Sequence, residues 1–138
     1  MAETAPLLQA KDLRVTLRSG IEIVRGVSFT AKAGKVLGIV GESGSGKSIT
    51  MRAVMGLSPP GSVISGSIKL RGEELVRAPE RRMRALRGSR IGLIFQDPMT
   101  ALNPVVTVGK LIAEAVRLHN PGMPAQKAWQ RAVELLEL

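Results

Sequence analysis

The segment Gly41-Glu-Ser-Gly-Ser-Gly-Lys-Ser48 decides how this sequence is interpreted. A glycine, four residues and then Gly-Lys-Ser is the spacing of a loop that binds phosphate groups. Glycines at 41, 44 and 46 permit the positive φ angles that turn successive backbone N–H groups inward. Together with the start of the following helix, these donors are predicted to cradle a polyphosphate. The predicted contact residues are Gly41, Glu42, Ser43, Gly44, Ser45, Gly46, Lys47, Ser48 and Ile49.

Two side chains of the segment add chemistry to the backbone donors. Lys47 supplies a point positive charge for the outer phosphates, and the Ser48 hydroxyl is a ligand suited to Mg²⁺, a hard cation that prefers oxygen. The apolar run Lys35–Gly41 precedes the loop, and a helical pattern over Lys47–Gly56 follows it. This strand–loop–helix context favours a nucleoside triphosphate site over a flexible glycine turn.

Composition bounds the remaining possibilities. The chain has 138 residues, about one domain, with 44% hydrophobic and 22% charged residues, which is typical of a globular protein. Aromatic residues make up 2%, too few for stacking platforms that bind single-stranded nucleic acid. The net charge of +9 favours anionic partners. There is no cysteine and one histidine, His119, which excludes disulfides and cysteine-based or multi-histidine metal sites.

Hydrophobic patterning predicts a mixed α/β chain. The segments Leu7–Leu17 and Ile21–Thr30 alternate like strands, and Ser19-Gly20 between them indicates a hairpin turn. Lys35–Gly41 is nearly all apolar, as in a strand of a parallel sheet covered on both faces. Shorter strands are predicted at Gly66–Leu70 and Arg90–Phe95.

Four helices are predicted, and no segment is apolar and long enough to cross a bilayer. The helices are Lys47–Gly56, the basic Pro79–Leu86, Val108–Leu118 with Thr107 as its cap, and Ala125–Leu138. The apolar stripe of the last helix still runs at Leu138, without a glycine or proline to close it. We therefore expect the domain to continue beyond this chain.

The segment after Phe95 carries Gln96 and Asp97, and the residues alone leave three interpretations open. Asp97 fits the acidic strand end that orders Mg²⁺ in many phosphate-loop enzymes. Gln96 fits an amide that contacts Mg²⁺ or positions the attacking water. A surface glutamine without a role is the third interpretation.

A family resemblance decides among them. The phosphate loop, the string Phe95-Gln-Asp-Pro-Met-Thr-Ala-Leu-Asn-Pro104 and the string Val24-Arg-Gly-Val-Ser-Phe29 resemble the ATP-binding subunits of ABC transporters, in the branch of dipeptide, oligopeptide and nickel importers. The resemblance implies an α/β P-loop NTPase fold, present only in its N-terminal part. It implies an antiparallel β region over residues 1–34, the P-loop core over 35–97 and the start of a helical subdomain over 98–138.

The resemblance also implies the function and the roles of the site residues. Such a subunit binds MgATP and couples its hydrolysis to uptake of peptides, or of nickel and metal chelates. Lys47 and Gln96 would be catalytic, and Ser48 and Gln96 would reach Mg²⁺. The implied partners are transmembrane permease subunits and a second ATP-binding subunit, with peripheral attachment to the cytoplasmic face of the inner membrane and no nucleic acid.

Several family hallmarks are absent from the 138 residues. There is no Leu-Ser-Gly-Gly-Gln signature, no apolar strand ending in Asp-Glu and no histidine in the switch position. We expect them further along the gene, and we expect this chain alone to bind nucleotide without hydrolysing it at a useful rate. Leu17 stands where the family has an adenine-stacking aromatic, which predicts weak discrimination between ATP and GTP.

Two other functions remain as alternatives. One is a regulatory module that uses nucleotide binding as a switch and has no membrane partner. The other is a nucleic-acid binder that works through a cluster of arginines, whose simpler interpretation is a solvated helix face. This arginine cluster comprises Arg77, Arg81, Arg82, Arg84, Arg87 and Arg90.

Overall fold

The computed structural model describes residues 6–95 and 102–138. The chain divides into two compact units, Met1–Arg87 and Gly88–Leu138. The first unit holds an antiparallel sheet with two helices, and the second holds a helical hairpin.

The sheet of the first unit has four strands in the order β2-β1-β3-β4. Their bounds are β1 Pro6–Thr16, β2 Glu22–Lys32, β3 Val63–Leu70 and β4 Glu73–Glu74. Each neighbouring pair is antiparallel. The structure confirms the strands predicted at Leu7–Leu17, Ile21–Thr30 and Gly66–Leu70 and the turn at Ser19-Gly20, with β3 beginning earlier than expected. Leu13 and Val15 are fully buried, as their alternation predicts.

A bulge interrupts the central strand β1 at Asp12. Its φ of +47° places it in the left-handed region, and both pairings of β1 shift register between residue 10 and residue 14. The bulge keeps both Ala10 and Leu13 in the core, although an offset of three positions would place them on opposite faces of a regular strand. Two consecutive polar residues, Lys11 and Asp12, are the sequence signal of this irregularity, which the alternation pattern alone does not predict.

Two helices complete the first unit, α1 Lys47–Val54 and α2 Glu80–Leu86. Both agree with the predicted helices, and Gly56 with φ +64° follows the end of α1. The core is almost entirely aliphatic, as the scarcity of aromatic residues requires. Its buried members are Ala10, Leu13, Val15, Val24, Ala53, Val54, Met55, Ile68, Leu70, Leu75, Met83 and Leu86.

The predicted strands at Lys35–Gly41 and Arg90–Phe95 are not formed. Residues 35–40 have no regular structure, with Val36 fully exposed and Val40 94% exposed. In the second segment only Ile91 makes an isolated bridge, and Ile94 is 96% exposed. A strand of a parallel sheet is stabilised by neighbours on both sides. Among the described residues no strand pairs with either segment.

The second unit contains α3 Val108–His119 and α4 Ala125–Leu136, which pack against each other. Thr107 lies at the predicted N-cap position, but its side chain makes no capping hydrogen bond. The sequence of α3 predicts an apolar stripe at Leu111, Ile112, Ala115 and Leu118, but Leu111 and Ile112 are only half-buried and Leu118 is exposed. In α4 the sequence predicts an apolar stripe at Ala128, Val133, Leu135 and Leu136. Ala128 is buried together with Ala132, whereas the other three are all more than a third exposed.

Candidate functional site

The predicted phosphate loop runs from Gly41 into the start of α1 and lies against β2. Gly46 is the N-cap of α1, with φ +90°. A Cβ at Gly46 would lie 3.1 Å from the carbonyl oxygen of Ile23. The glycine thus permits both the backbone turn and the close approach to the sheet, which fixes the loop relative to β2.

The three glycines of the loop serve different purposes. Gly44 and Gly46 have positive φ, as predicted. Gly41 does not, so the expected reason for that glycine is wrong. A Cβ at Gly41 would lie 2.8 Å from the Ser45 Oγ, so its role is to leave room for that side chain.

Lys47 folds back over the loop. Its Nζ donates to the carbonyl oxygens of Gly41 at 2.7 Å and Glu42 at 2.6 Å. A third, longer bond reaches the Ser45 Oγ at 3.3 Å. The positive charge is therefore held at the mouth of the loop, where the sequence predicts an outer phosphate to bind.

The first turn of α1 has backbone N–H groups that are available to bind an anion. A helix leaves its first N–H groups without intrahelical acceptors, and the N-cap Gly46 has no side chain to satisfy them. The first turn contains no acidic residue that would oppose an anion. The exposed Ser48 hydroxyl lies in this turn. These features fit a phosphate chain with a Mg²⁺ ion that takes most of its ligands from phosphate and water.

Thr50 supports the loop from below, a role that the sequence analysis missed. It is the buried polar residue of the first unit at 4% exposure, and its Oγ1 donates to the Gly46 carbonyl at 2.9 Å. Its spacing of four residues from the N-cap glycine is the only sequence signal for this contact.

The structure describes only some of the predicted site residues. Gln96, predicted to be catalytic and to contact Mg²⁺, lies outside the described residues, as does Asp97. Within the described ranges, no group of three or more His, Cys, Asp or Glu side chains is placed to hold a metal ion.

Leu17 lies in the turn between β1 and β2. Its N–H donates to the Ile21 carbonyl at 2.8 Å, and its own carbonyl accepts from Gly20 at 2.9 Å. Ile23, whose carbonyl touches the loop at Gly46, is two residues beyond Ile21. The turn is thus connected to the loop through a short stretch of β2.

Part of the arginine cluster is neutralised by glutamates. Arg82 pairs bidentately with Glu73, with N···O distances of 2.5 and 2.6 Å, and these bonds lower the pKa of the Glu73 carboxyl. Arg84 and Arg87 both pair with Glu80. Such pairs favour a structural role for these arginines over a continuous surface for nucleic acid.

Arg87 also links the two helices of the first unit. Its guanidinium donates to the carbonyls of Met55 at 2.8 Å and Gly56 at 3.2 Å, beyond the end of α1. These carbonyls form the negative end of the helix, where a cation is favoured. The arginine therefore holds α2 against α1.

The sequence and the site together define a class of protein. The sequence model of the ABC transporter family matches residues 24–138, which include the phosphate loop, Gln96 and both helices of the second unit. The chain belongs to the ABC transporter family, as the resemblance predicted. Among the described residues, no helix combines the length and apolar character that crossing a membrane requires.

The curated relatives that the chain matches include ATP-binding proteins named for peptide transport. It is 47% identical over 137 residues to the oligopeptide transport ATP-binding protein OppD of Mycobacterium tuberculosis, covering 97% of this chain and 22% of that protein. It is 46% identical to OppD of Bacillus subtilis, covering 100% of this chain and 40% of the relative. A putative peptide import ATP-binding protein of Brucella abortus is 42% identical, with 98% and 42% covered. The chain thus spans less than half the length of these relatives.

Proposed function

We propose that this chain is the nucleotide-binding part of an ATP-binding subunit in a peptide importer. The observation that carries the proposal is the Lys47 ammonium held over a glycine loop at the N-terminus of α1. The names of the relatives, which denote oligopeptide transport or peptide import, support peptide as the transported class. Nickel or metal chelates, the other solutes of the resembled branch, remain the second option for the solute.

The residues of the loop have different roles in binding the nucleotide. Backbone N–H groups from Gly41 to Ile49 donate to phosphate oxygens, and Lys47 neutralises the charge of the outer phosphates. The Ser48 hydroxyl would hold Mg²⁺, together with Gln96. The ion would supply positive charge that stabilises the phosphate groups. Gln96 would also position the attacking water.

The partners and location follow from the proposed class. Permease subunits would anchor the protein peripherally at the cytoplasmic face of the inner membrane, and a second ATP-binding subunit would complete the site. The 138 residues contain no Leu-Ser-Gly-Gly-Gln and no catalytic glutamate after an apolar strand. We therefore expect this chain alone to bind MgATP without turnover near the ~10 s⁻¹ typical of enzymes.

The proposal is tested by titrating MgATP into the chain and its Lys47→Ala variant. Loss of a charge-assisted bond to phosphate should weaken binding by about tenfold or more. The matched control is Lys35→Ala, which removes an exposed lysine outside the loop and should leave the affinity unchanged. Equal affinities of the Lys47→Ala variant and the unaltered chain would refute the proposed site.

Leu17 leads to a prediction about base selectivity. An aliphatic side chain offers apolar contact but no stacking on a purine. We expect GTP to compete with ATP nearly as well as unlabelled ATP does. A preference for ATP of about thirtyfold, on the order of 2 kcal/mol, would contradict this.

A further inference from the structure

All three donors of the Lys47 ammonium are used within the loop itself. An ammonium group has three N–H donors and no acceptor. The three oxygens around it belong to the Gly41 carbonyl, the Glu42 carbonyl and the Ser45 hydroxyl. We call this arrangement the Lys47 latch. An incoming phosphate oxygen must therefore take a donor from an acceptor that already holds it.

Ser45 provides the only side-chain acceptor of the latch and also its longest contact, at 3.3 Å. Its backbone N–H donates to the Glu42 carbonyl at 3.3 Å. Its Oγ lies over the Cα of Gly41, in the space that a Cβ there would fill. The hydroxyl is thus placed by contacts on both sides. The weakest of the three bonds is the one that a ligand displaces at the lowest free-energy cost.

We propose that Ser45 is a positioning residue that restrains Lys47 in the ligand-free loop and releases it when phosphate binds. The inference rests on the proposed function, since it assigns a regulatory role at the same site. The hydroxyl acts on the free state alone, so it slows association with phosphate and leaves dissociation unaffected. Removing it should therefore make nucleotide bind faster and more tightly.

The kinetic test uses MgATP with the chain and its Ser45→Ala variant. We expect the association rate constant to rise roughly threefold to fivefold, with an unchanged dissociation rate constant. Ser45→Thr keeps the hydroxyl and should restore the original rates. Ser65→Ala, an exposed serine on β3, is the matched control and should change neither rate. An unchanged association rate or a faster dissociation in Ser45→Ala would overturn the proposal.

A second test needs no nucleotide and separates this inference from the proposed function. Acetylation of each lysine in the ligand-free chain is followed by mass spectrometry, with exposed Lys35 as the internal reference. We expect Lys47 to react about threefold faster in Ser45→Ala, with Lys35 unchanged and Ser45→Thr like the original chain. An unchanged rate of Lys47 acetylation in Ser45→Ala would show that Ser45 does not restrain Lys47 and would overturn the proposal. Failure of the unaltered chain to bind MgATP, with the expected change in Lys47 acetylation, would overturn the proposed function and leave only the restraint of Lys47 by Ser45.

Discussion

At the scale of single residues, the structure depends on glycines whose reasons differ from place to place. Gly66 in β3 has φ +90° and faces the bulge of β1, where a Cβ would collide with the Asp12 carbonyl oxygen. Gly72 has nearly the same φ, +86°, yet a Cβ there would meet nothing within 4 Å. A side chain introduced at either position would adopt a strained positive φ, but only at Gly66 would it also clash with a neighbouring atom.

This pair makes the cost of the clash measurable. We expect Gly66→Ala to lower the free energy of unfolding by about 3 kcal/mol, and Gly72→Ala by about 1 kcal/mol. Urea unfolding followed by circular dichroism would give both values. Equal losses in the two variants would show that the sheet relaxes around the bulge.

At the scale of elements, arginines act as links between helices and turns. Arg84 and Arg87 bind the same carboxylate of Glu80, but their surroundings differ. The Arg84 side chain is 78% exposed, whereas that of Arg87 is 20% exposed and also binds two carbonyls beyond α1. An ion pair between exposed side chains of one helix contributes little to the stability of the fold, because solvent screens the two charges.

We expect Arg87→Ala to destabilise the fold by about 1–3 kcal/mol, because it removes the donor to the partly buried Met55 carbonyl. Arg84→Ala is the matched control and should stay within about 0.5 kcal/mol of the original chain. Thermal and urea unfolding at neutral pH would measure both. A larger effect from Arg84→Ala than from Arg87→Ala would contradict the assigned roles.

The same cluster predicts a dependence on pH. Hydrogen bonds from Arg87 lower the pKa of the Glu80 carboxyl below its ordinary 4.5, and Arg82 lowers that of Glu73 in the same way. A carboxyl group whose pKa is lower in the folded state than in the unfolded state stabilises the fold at pH values above its ordinary pKa. This contribution should be lost as the pH falls below 4.5 and through the lowered pKa values. Unfolding curves between neutral and acid pH, compared with those of Glu80→Gln, would show it.

At the scale of the whole molecule, some apolar segments of the sequence are not buried in the structure. The segment 36–40 is as hydrophobic as a core strand, but it remains exposed. None of its amides donates to another described residue, whereas β1 has a neighbour on each side. The parts of the chain therefore differ in how well their backbone is protected from water.

Hydrogen exchange measured by NMR should reveal this contrast. We expect amides of residues 36–40 to exchange close to the rate of an unstructured peptide, and interior amides of β1 at least about a hundredfold more slowly. Strong protection of residues 36–40 would mean that they pair, either by association of two copies or within one molecule. Repeating the measurement at several concentrations distinguishes association of two copies from pairing within one molecule.

The sequence alone determined most of the local elements and the position of the glycine loop before α1. Glycine spacing, alternation of apolar and polar residues, and helical periodicity are local properties of a sequence. They were therefore enough to predict β1, β2, α1 and the glycine loop before α1. Family resemblance identified the class, which the match to residues 24–138 confirms. The role of Gln96 stays a prediction, since that residue lies outside the described residues.

Only the tertiary structure decided which apolar segments find partners and where the charges go. The run Lys35–Gly41 has the composition of a strand, but pairing depends on neighbours distant in sequence, and composition does not supply them. The bulge at Asp12, the acceptors of Lys47 and the partners of Arg87 likewise come from contacts between separate segments. Such contacts depend on three-dimensional proximity, which local patterns do not encode.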